Sequence, residues 1–133
     1  MNKQEKGAYA TALRSAARRA KIARVVYVLT DRNRGKQWKS ICIEAAQLCG
    51  ARFTAVAKMR EAVYAFSLAQ RLIASSSFRE APLVPADFDL DRYIKEGDET
   101  AALASGMTPE AAARGALLLH AVPGMRRGRP RRW

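Results

Sequence analysis

The sequence predicts a small all-α domain of about five helices, followed by an extended basic arm. Aromatic residues make up only 8% of the chain although 49% is hydrophobic, and this alanine-rich composition favours helices packed closely through small side chains. Apolar residues recur at three- and four-residue steps, as in amphipathic helices. The length of 133 residues suits one domain. We therefore predict a helical domain over residues 1–122 and a disordered basic arm over residues 123–133.

The first predicted helix covers about residues 4–29. The segment VVYVL within it is rich in β-branched residues and by itself would suit a strand. It follows the alanine-rich pattern without a break, so we predict that it continues the helix. The segment TDRNRG then ends it. The apolar face consists of Tyr9, Leu13, Ala16, Ala17, Ala20, Val25, Val26 and Leu29.

Two further helices are predicted over about residues 37–49 and 53–75. A loop with two prolines, SSSFREAPLVPA, follows them. Either Asp87 or Asp89 is expected to cap the short helix that comes next, through LDRYIKEG.

The last predicted helix has clear signals at both ends. Thr108 supplies a hydroxyl cap, Pro109 occupies the first turn, and Glu110 places a negative charge near the positive end of the helix dipole. Pro123 and Gly124 end the helix.

Charge is distributed unevenly along the chain. There are 24 Lys and Arg against 12 Asp and Glu, for a net charge of +12 and a pI near 10.5. Residues 1–40 carry +9 and residues 123–133 carry +5, whereas residues 87–122 carry −4. This balance indicates a polyanionic partner, nucleic acid first and an anionic membrane surface second. We hypothesise that the acidic segment neutralises a basic surface, in the free protein or in a second copy, and so weakens nonspecific binding.

Residues 42–61, CIEAAQLCGARFTAVAKMRE, place small and apolar residues at a characteristic spacing. Ala46 is a small residue where two helices would cross, Gly50 suits a turn, and Val56 and Met59 would face the core from the second helix. In this spacing the segment resembles a helix-turn-helix, which implies that its second helix enters the major groove. The alternative is a helical hairpin whose glycine only stops the first helix. The resemblance implies base or phosphate contacts by Arg52, Thr54, Ala55 and Lys58, with Arg60 as a flanking phosphate contact.

The segment RRGRPRR near the C-terminus has an Arg-Gly-Arg-Pro centre. It resembles an AT-hook, although Arg126 stands where that family usually has proline. The resemblance implies that Gly128 approaches the floor of the narrow minor groove of A·T-rich duplex DNA, with inserted arginines on either side of it. A nonspecific nucleic-acid tail and a solubilising end are the alternatives. The implied groove residues are Arg127, Gly128, Arg129 and Pro130, and the implied phosphate contacts are Arg126, Arg131 and Arg132.

The first helix carries cations largely off its apolar face. They are Arg14, Arg18, Arg19 and Lys21, which we expect either to contact phosphates or to form a solvated basic face. The apolar face is mostly alanine, whereas membrane insertion would favour bulky side chains. We therefore expect no membrane insertion and predict packing against other helices or a second copy, which makes a homodimer one expected state.

Cysteine and histidine usage bounds the chemistry. Cys42 and Cys49 are seven residues apart in a predicted helix, roughly 10 Å and too far for a disulfide within it. There is no Cys-x-x-Cys pair and only one histidine, His120, so no metal is expected. These features favour a reducing compartment, cytoplasmic or nucleoid-associated.

No pattern in the sequence points to catalysis or to a cofactor. Neither a glycine-rich phosphate loop nor a Ser/His/Asp set can be read from it. The favoured function is a non-enzymatic protein that binds double-stranded DNA, regulatory or architectural, through the helix-turn-helix-like segment and the arginine arm. The alternatives are an RNA- or ribosome-associated protein that follows phosphates without reading sequence, and an adaptor whose basic ends bind an acidic protein.

Overall fold

The computed structural model describes residues 2–121, with side chains described up to Gly115. This part of the chain contains seven α-helices and no β-strand, which confirms the all-α prediction. The predicted arm, and the end of the last helix at Pro123 and Gly124, lie outside the described residues. The helices are α1 (Lys3–Arg32), α2 (Trp38–Cys49), α3 (Phe53–Lys58), α4 (Arg60–Ala74), α5 (Leu90–Glu96), α6 (Thr100–Ala104) and α7 (Pro109–Ala121).

Helix α1 is the central element of the fold. It has 30 residues and is therefore about 45 Å long. A capping box starts it: the Asn2 side chain accepts a hydrogen bond from the N–H of Glu5 at 2.8 Å, and the Glu5 carboxylate accepts one from the N–H of Asn2 at 2.9 Å. The segment VVYVL is helical and buried, as predicted.

The other helices pack along the C-terminal two thirds of α1. Helix α4 runs in the same direction as α1. Arg19 of α1 contacts Glu61 near the start of α4, and Arg34, just beyond the end of α1, contacts the loop that follows α4. Helix α2 returns in the opposite direction, so that its last residue lies beside Arg18. Helix α5 is also antiparallel to α1, since Arg32 contacts the loop before it and Lys21 contacts its last turn.

The core is built mainly from small and β-branched side chains. Tyr27 from α1 and Ile41 from α2 are the largest of its fully buried residues. A tilted ring contact between Trp38 and Phe66, with centroids 5.0 Å apart, closes one side between α2 and α4. The remaining large and fully buried side chains are Leu83, Val25, Val26, Val56 and Cys42.

The continuous helix predicted over residues 53–75 is wrong. Met59 adopts an extended conformation (φ −74°, ψ 119°) that separates α3 from α4. In an unbroken helix Val56 would lie about 180° around the axis from Ala65, nine residues later. Both side chains are fully buried, so the chain must turn between them to place each in the core.

The structure confirms two of the predicted caps. Asp89, one of the two candidates, caps α5 by accepting a hydrogen bond from the N–H of Arg92 at 3.0 Å. Thr108 accepts a hydrogen bond from the N–H of Ala111 at 3.0 Å, directly before the Pro109 that begins α7. The short helix α6 was not predicted.

The segment TDRNRG has an anchoring role that its sequence does not reveal. Asp31 is buried, and its carboxylate accepts hydrogen bonds from the N–H groups of Leu83 and Val84 at 3.1 Å. Arg34 pairs with Asp31 at 2.7 Å and donates to the carbonyls of the same loop. These contacts hold the segment between α4 and α5 against the end of α1. The carbonyls that accept from Arg34 are those of Phe78, Arg79 and Ala81.

None of the helices described within residues 2–121 has both the length and the apolar character needed to cross a membrane.

Candidate nucleic-acid interface

Helices α2 and α3 form a hairpin around a left-handed glycine. Gly50 has φ 64° and ψ 35°, a conformation that glycine adopts without strain, and its N–H donates to the Ala46 carbonyl. Ala46 is buried and Val56 is fully buried. These positions have the burial that a helix-turn-helix requires. The second helix is short, however, with six residues and a length of about 9 Å.

The predicted recognition residues lie on the outward side of this hairpin. Val56 is buried, whereas the four residues before it and Lys58 after it are exposed. Within residues 2–121, the side chains of Arg52, Thr54 and Lys58 take part in no hydrogen bond or ion pair. The positive charges of Arg52 and Lys58 therefore have no acidic partner in this part of the chain. The exposed residues of this face are Arg52, Thr54, Ala55 and Lys58.

The surrounding sequence keeps the hairpin basic. Residues 36–60 contain five Lys and Arg and a single acid, Glu44. Lys36 and Lys39 flank the start of α2, which has no side-chain cap and no acid in its first turn. Both are exposed. The hairpin thus presents cations at both of its ends.

Arg60, the predicted flanking contact, has an acidic partner. Its guanidinium donates two hydrogen bonds to Glu110 at the start of α7, with Nη2–Oε1 at 2.7 Å and Nε–Oε2 at 3.2 Å. This pairing raises the pKa of Arg60. The Arg60 side chain is still 81% exposed, so the pair is a surface contact.

The predicted phosphate contacts on α1 are mostly engaged inside the protein. Arg18 donates to the carbonyls of Cys49 and Gly50, at 3.2 and 3.3 Å, where α2 ends. Lys21 donates to the Ile94 carbonyl in the last turn of α5 at 2.9 Å. Both cations thus satisfy helix C-termini, whose last carbonyls lack partners within the helix.

Arg19 and Arg14 differ in how firmly they are held. Arg19 forms an ion pair with Glu61 at 3.2 Å and donates to the Ser15 hydroxyl. Arg14 is exposed, and its contact is a 3.4 Å hydrogen bond to Thr11 one turn earlier. The phosphate contacts predicted on α1 stay predictions, but Arg14 alone among them is nearly unengaged.

A buried ionic cluster, whose individual members the sequence did not identify, joins α1 to the acidic segment. Arg24 pairs with Glu99 at 2.6 Å and donates to the Tyr93 hydroxyl at 3.1 Å. Tyr93 in turn donates to Glu99, and burial is the main cause of its raised pKa. Arg24 also donates to the Ala112 carbonyl of α7 at 3.4 Å. The net negative charge of residues 87–122 indicated pairing with the basic part of the chain. Arg24 and Glu99 are 75 residues apart, however, so no sequence spacing identifies them as partners.

A cleft of about 340 Å³ opens between α1, the end of α2 and the α5–α6 connection. Arg14, Arg18 and Lys21 line it, together with Asp98, whose pKa is lowered by hydrogen bonds from Thr100. Its walls therefore combine three cations with the carboxylates of Asp98 and Glu99.

A cysteine thiol also lines this cleft. Cys49 is half-buried, and burial raises its pKa more than the nearby Arg18 and Lys21 lower it. Within the described part of the chain, no group of three or more His, Cys, Asp or Glu side chains is arranged to hold a metal ion.

Comparisons of the chain with protein-family models, curated proteins and solved structures find no match. The predicted minor-groove residues of the arm lie outside the described residues. The site residues above are therefore assigned on chemistry and geometry alone.

Proposed function

We propose that the protein is a non-enzymatic, double-stranded-DNA-binding protein of regulatory or architectural type. In this proposal the outward face of α3 meets the major groove and the arginine arm occupies an adjacent minor groove. One observation carries it: Arg52, Thr54 and Lys58 are each exposed, and their side chains have no hydrogen-bond or ion-pair partner within residues 2–121.

Unpaired cations are the physical requirement for strong phosphate binding. Binding to duplex DNA releases condensed counterions for each phosphate that a cation neutralises. A cation already bound to a carboxylate or a carbonyl must first give up that contact. Arg52 and Lys58 have none to give up, so the full electrostatic gain is available to them.

The size of α3 indicates modest sequence readout. The major groove is about 12 Å wide, and a six-residue helix fits it end-on more readily than along its length. Arg52 and Thr54 are suited to base edges or phosphates, and exposed Phe53 offers an apolar contact to a thymine methyl group. Few base contacts suit a protein that organises DNA or recognises a short site.

The arm supplies the second half of the proposal. Its Arg-Gly-Arg-Pro centre suits the narrow minor groove of A·T-rich DNA, where concentrated negative potential attracts arginine. A helix in the major groove with a basic arm in the minor groove is a recurring combination in DNA-binding proteins.

The hairpin is tested by removing its two free charges. Fluorescence anisotropy with a labelled duplex, at several salt concentrations, would compare the double variant Arg52→Gln/Lys58→Gln with wild type. We expect at least tenfold weaker binding, and a log–log salt slope about 2 units shallower if both cations contact phosphate. The control is Arg71→Gln/Arg79→Gln, which removes two exposed arginines that have no side-chain partner within the described chain. Equal losses in the two double variants would reject the hairpin as the site.

The arm is tested by comparing the full chain with one that ends at Val122. Loss of five arginines should make the salt slope shallower by about 4 to 5 units if all of them contact phosphate, and by less if some occupy the groove. Loss of a preference for A·T-rich over G·C-rich duplex would support the minor-groove role. Structured RNA that binds as tightly as duplex, with truncation weakening all ligands equally, would replace this proposal with the RNA-associated function.

A further inference from the structure

The start of α1 stands clear of the other helices. Residues 2–9 are all exposed although they are helical from Lys3 onward. Burial begins with the small cluster of Ala17, Leu103 and Ala112, against which Leu13 packs. The ten helical residues that precede Leu13 therefore project from the body over about 15 Å.

This projection lies at the same end of the molecule as the α2–α3 turn. Arg18 donates to the Cys49 and Gly50 carbonyls, which places the turn level with Arg18 along the α1 axis. Ala12 is six residues before Arg18 and Lys3 is fifteen before it. At the rise of an α-helix, the projection thus extends from about 9 to about 23 Å beyond the turn.

Lys3 on the projecting part of α1 and Arg14 at its base lie on the side of the helix that faces the hairpin. Arg14 precedes Arg18 by four residues and Lys3 precedes Arg14 by eleven. At about 100° per residue, both lie within roughly 60° of the direction of Arg18. Lys3 makes no side-chain contact within the described chain, and the hydrogen bond from Arg14 to Thr11 is 3.4 Å long.

The charge on this segment selects the kind of partner. Residues 2–14 contain three Lys and Arg and one acid, Glu5. The Glu5 carboxylate already accepts the hydrogen bond of the capping box. A second copy of the segment would bring like charges together, whereas the phosphates of a DNA strand would neutralise them.

We infer that the start of α1 is a DNA-contacting segment, in which Lys3 and Arg14 bind phosphates beside the site of α3. The inference rests on the proposed function and adds a second contact surface to it. The segment is already helical as an extension of α1, so binding does not require it to fold. Arg18 and Lys21 hold the hairpin and α5 against α1, whereas Lys3 is exposed and Arg14, which lines the cleft, has only a 3.4 Å hydrogen bond to Thr11.

The test is a double variant, Lys3→Gln/Arg14→Gln, in the full-length chain. Glutamine favours helix nearly as well as lysine and arginine, so the far-UV circular dichroism should not change. We expect three- to tenfold weaker binding to a duplex long enough to extend past the α3 contact, and a salt slope about 2 units shallower. The control is again Arg71→Gln/Arg79→Gln, which lies at the other end of the body, where Arg34 contacts the Arg79 carbonyl.

The outcomes separate this inference from the proposed function. Suppose that Lys3→Gln/Arg14→Gln has the salt slope of wild type while Arg52→Gln/Lys58→Gln loses binding. This result overturns the inferred role of the α1 start and leaves the hairpin as the proposed site. If Lys3→Gln/Arg14→Gln leaves the salt slope unchanged but alters self-association in sedimentation, the α1 start is a contact between copies. This result also overturns its inferred role in DNA binding. If wild-type protein does not bind duplex DNA at all, the proposed function fails, and the inferred role of the α1 start fails with it.

Discussion

Helix α1 and the α2–α3 hairpin are both basic in sequence, yet the structure uses their cations in different ways. On α1, Arg18 and Lys21 donate to carbonyls at helix ends and Arg24 is paired with buried Glu99. On the hairpin, Arg52 and Lys58 are exposed and have no side-chain partner within residues 2–121. Formal charge therefore does not measure the charge that a ligand can reach.

The contrast has a physical origin in where each segment lies. Helix α1 is central, so its polar side chains meet the ends of neighbouring helices, where unpaired carbonyls and acidic residues accept hydrogen bonds. The hairpin lies at the edge, and only one side of it packs against the rest of the protein. We expect substitutions of the engaged α1 cations, Arg18, Lys21 and Arg24, to change stability and substitutions on the hairpin to change binding.

The largest expected effect is on stability, from Glu99→Ala. Glu99 is 3% exposed and is bound to both Arg24 and Tyr93, so its removal leaves a nearly buried guanidinium without its counter-charge. Breaking a buried ion pair in this way typically costs about 3–5 kcal/mol. Urea unfolding monitored by circular dichroism measures the loss. Glu96→Gln is the control, since it breaks an exposed pair with Arg92 that is worth about 1 kcal/mol or less.

The second-largest expected effect is a loss of unfolding free energy at alkaline pH. Burial raises the pKa of Cys42 from 9.0 to about 11 and also raises the pKa of Tyr27 and Tyr93. A raised pKa in the folded state means that these groups add stability below the unfolded-state pKa, and that this stability is lost as pH rises through the folded-state value. We expect the free energy of unfolding, measured with urea, to fall from about pH 9 upward, with a loss on the order of 2 kcal/mol from Cys42 at pH 11.

Cys42→Ala checks the assignment of this pH effect to the thiol. The variant loses the titrating group, so its unfolding midpoint should decline less between pH 9 and pH 11 than that of wild type. A parallel decline in both proteins would assign the alkaline loss to the tyrosines or to Cys49, whose pKa burial also raises.

Local signals in the sequence predicted much of the fold but not the break at Met59. The period of α1 and the cap at Thr108 are encoded within a few residues, so they were readable. No glycine or proline marks the end of α3, because the turn arises from the need to bury Val56 and Ala65 on the same core. That requirement is a property of the assembled bundle.

The candidate site divides in the same way. The exposed side of the hairpin follows from the spacing of Ala46, Gly50 and Val56, and this spacing was visible in the sequence. The partners of the α1 cations were not visible, since Arg24 and Glu99 are far apart in the chain. From charge alone, the cations of α1 and those of the hairpin are all candidates for phosphate contact. Only the packed structure shows which of them already have partners inside the protein.

A smaller loss of stability is expected from Gly97→Ala, at the junction where the acidic segment meets α1. A Cβ at Gly97 would lie 2.5 Å from the Tyr93 ring and 2.6 Å from the Tyr93 carbonyl. Relieving such a contact shifts the backbone or the ring, at a cost of about 1–3 kcal/mol. Gly7→Ala is the matched control, because no neighbouring atom lies within 4 Å of its Cβ position on exposed α1, and alanine there should stabilise the helix by up to about 1 kcal/mol. Equal thermal stability of the two variants would contradict the close packing of Tyr93.

The smallest effects come from single arginines, and they test the contrast between the two regions most directly. Arg18→Gln removes the cation at the end of α2 and should lower the unfolding free energy by about 0.3–1 kcal/mol while leaving the salt slope of DNA binding unchanged. Arg52→Gln should do the reverse, with stability within about 0.5 kcal/mol of wild type and a slope about 1 unit shallower. Both measurements on both proteins are needed, because either one alone is compatible with a general loss of charge. A shallower slope for Arg18→Gln would mean that Arg18 contacts phosphate despite its carbonyl partners, and the division between structural and ligand-binding cations would then fail at the residue where the two regions touch.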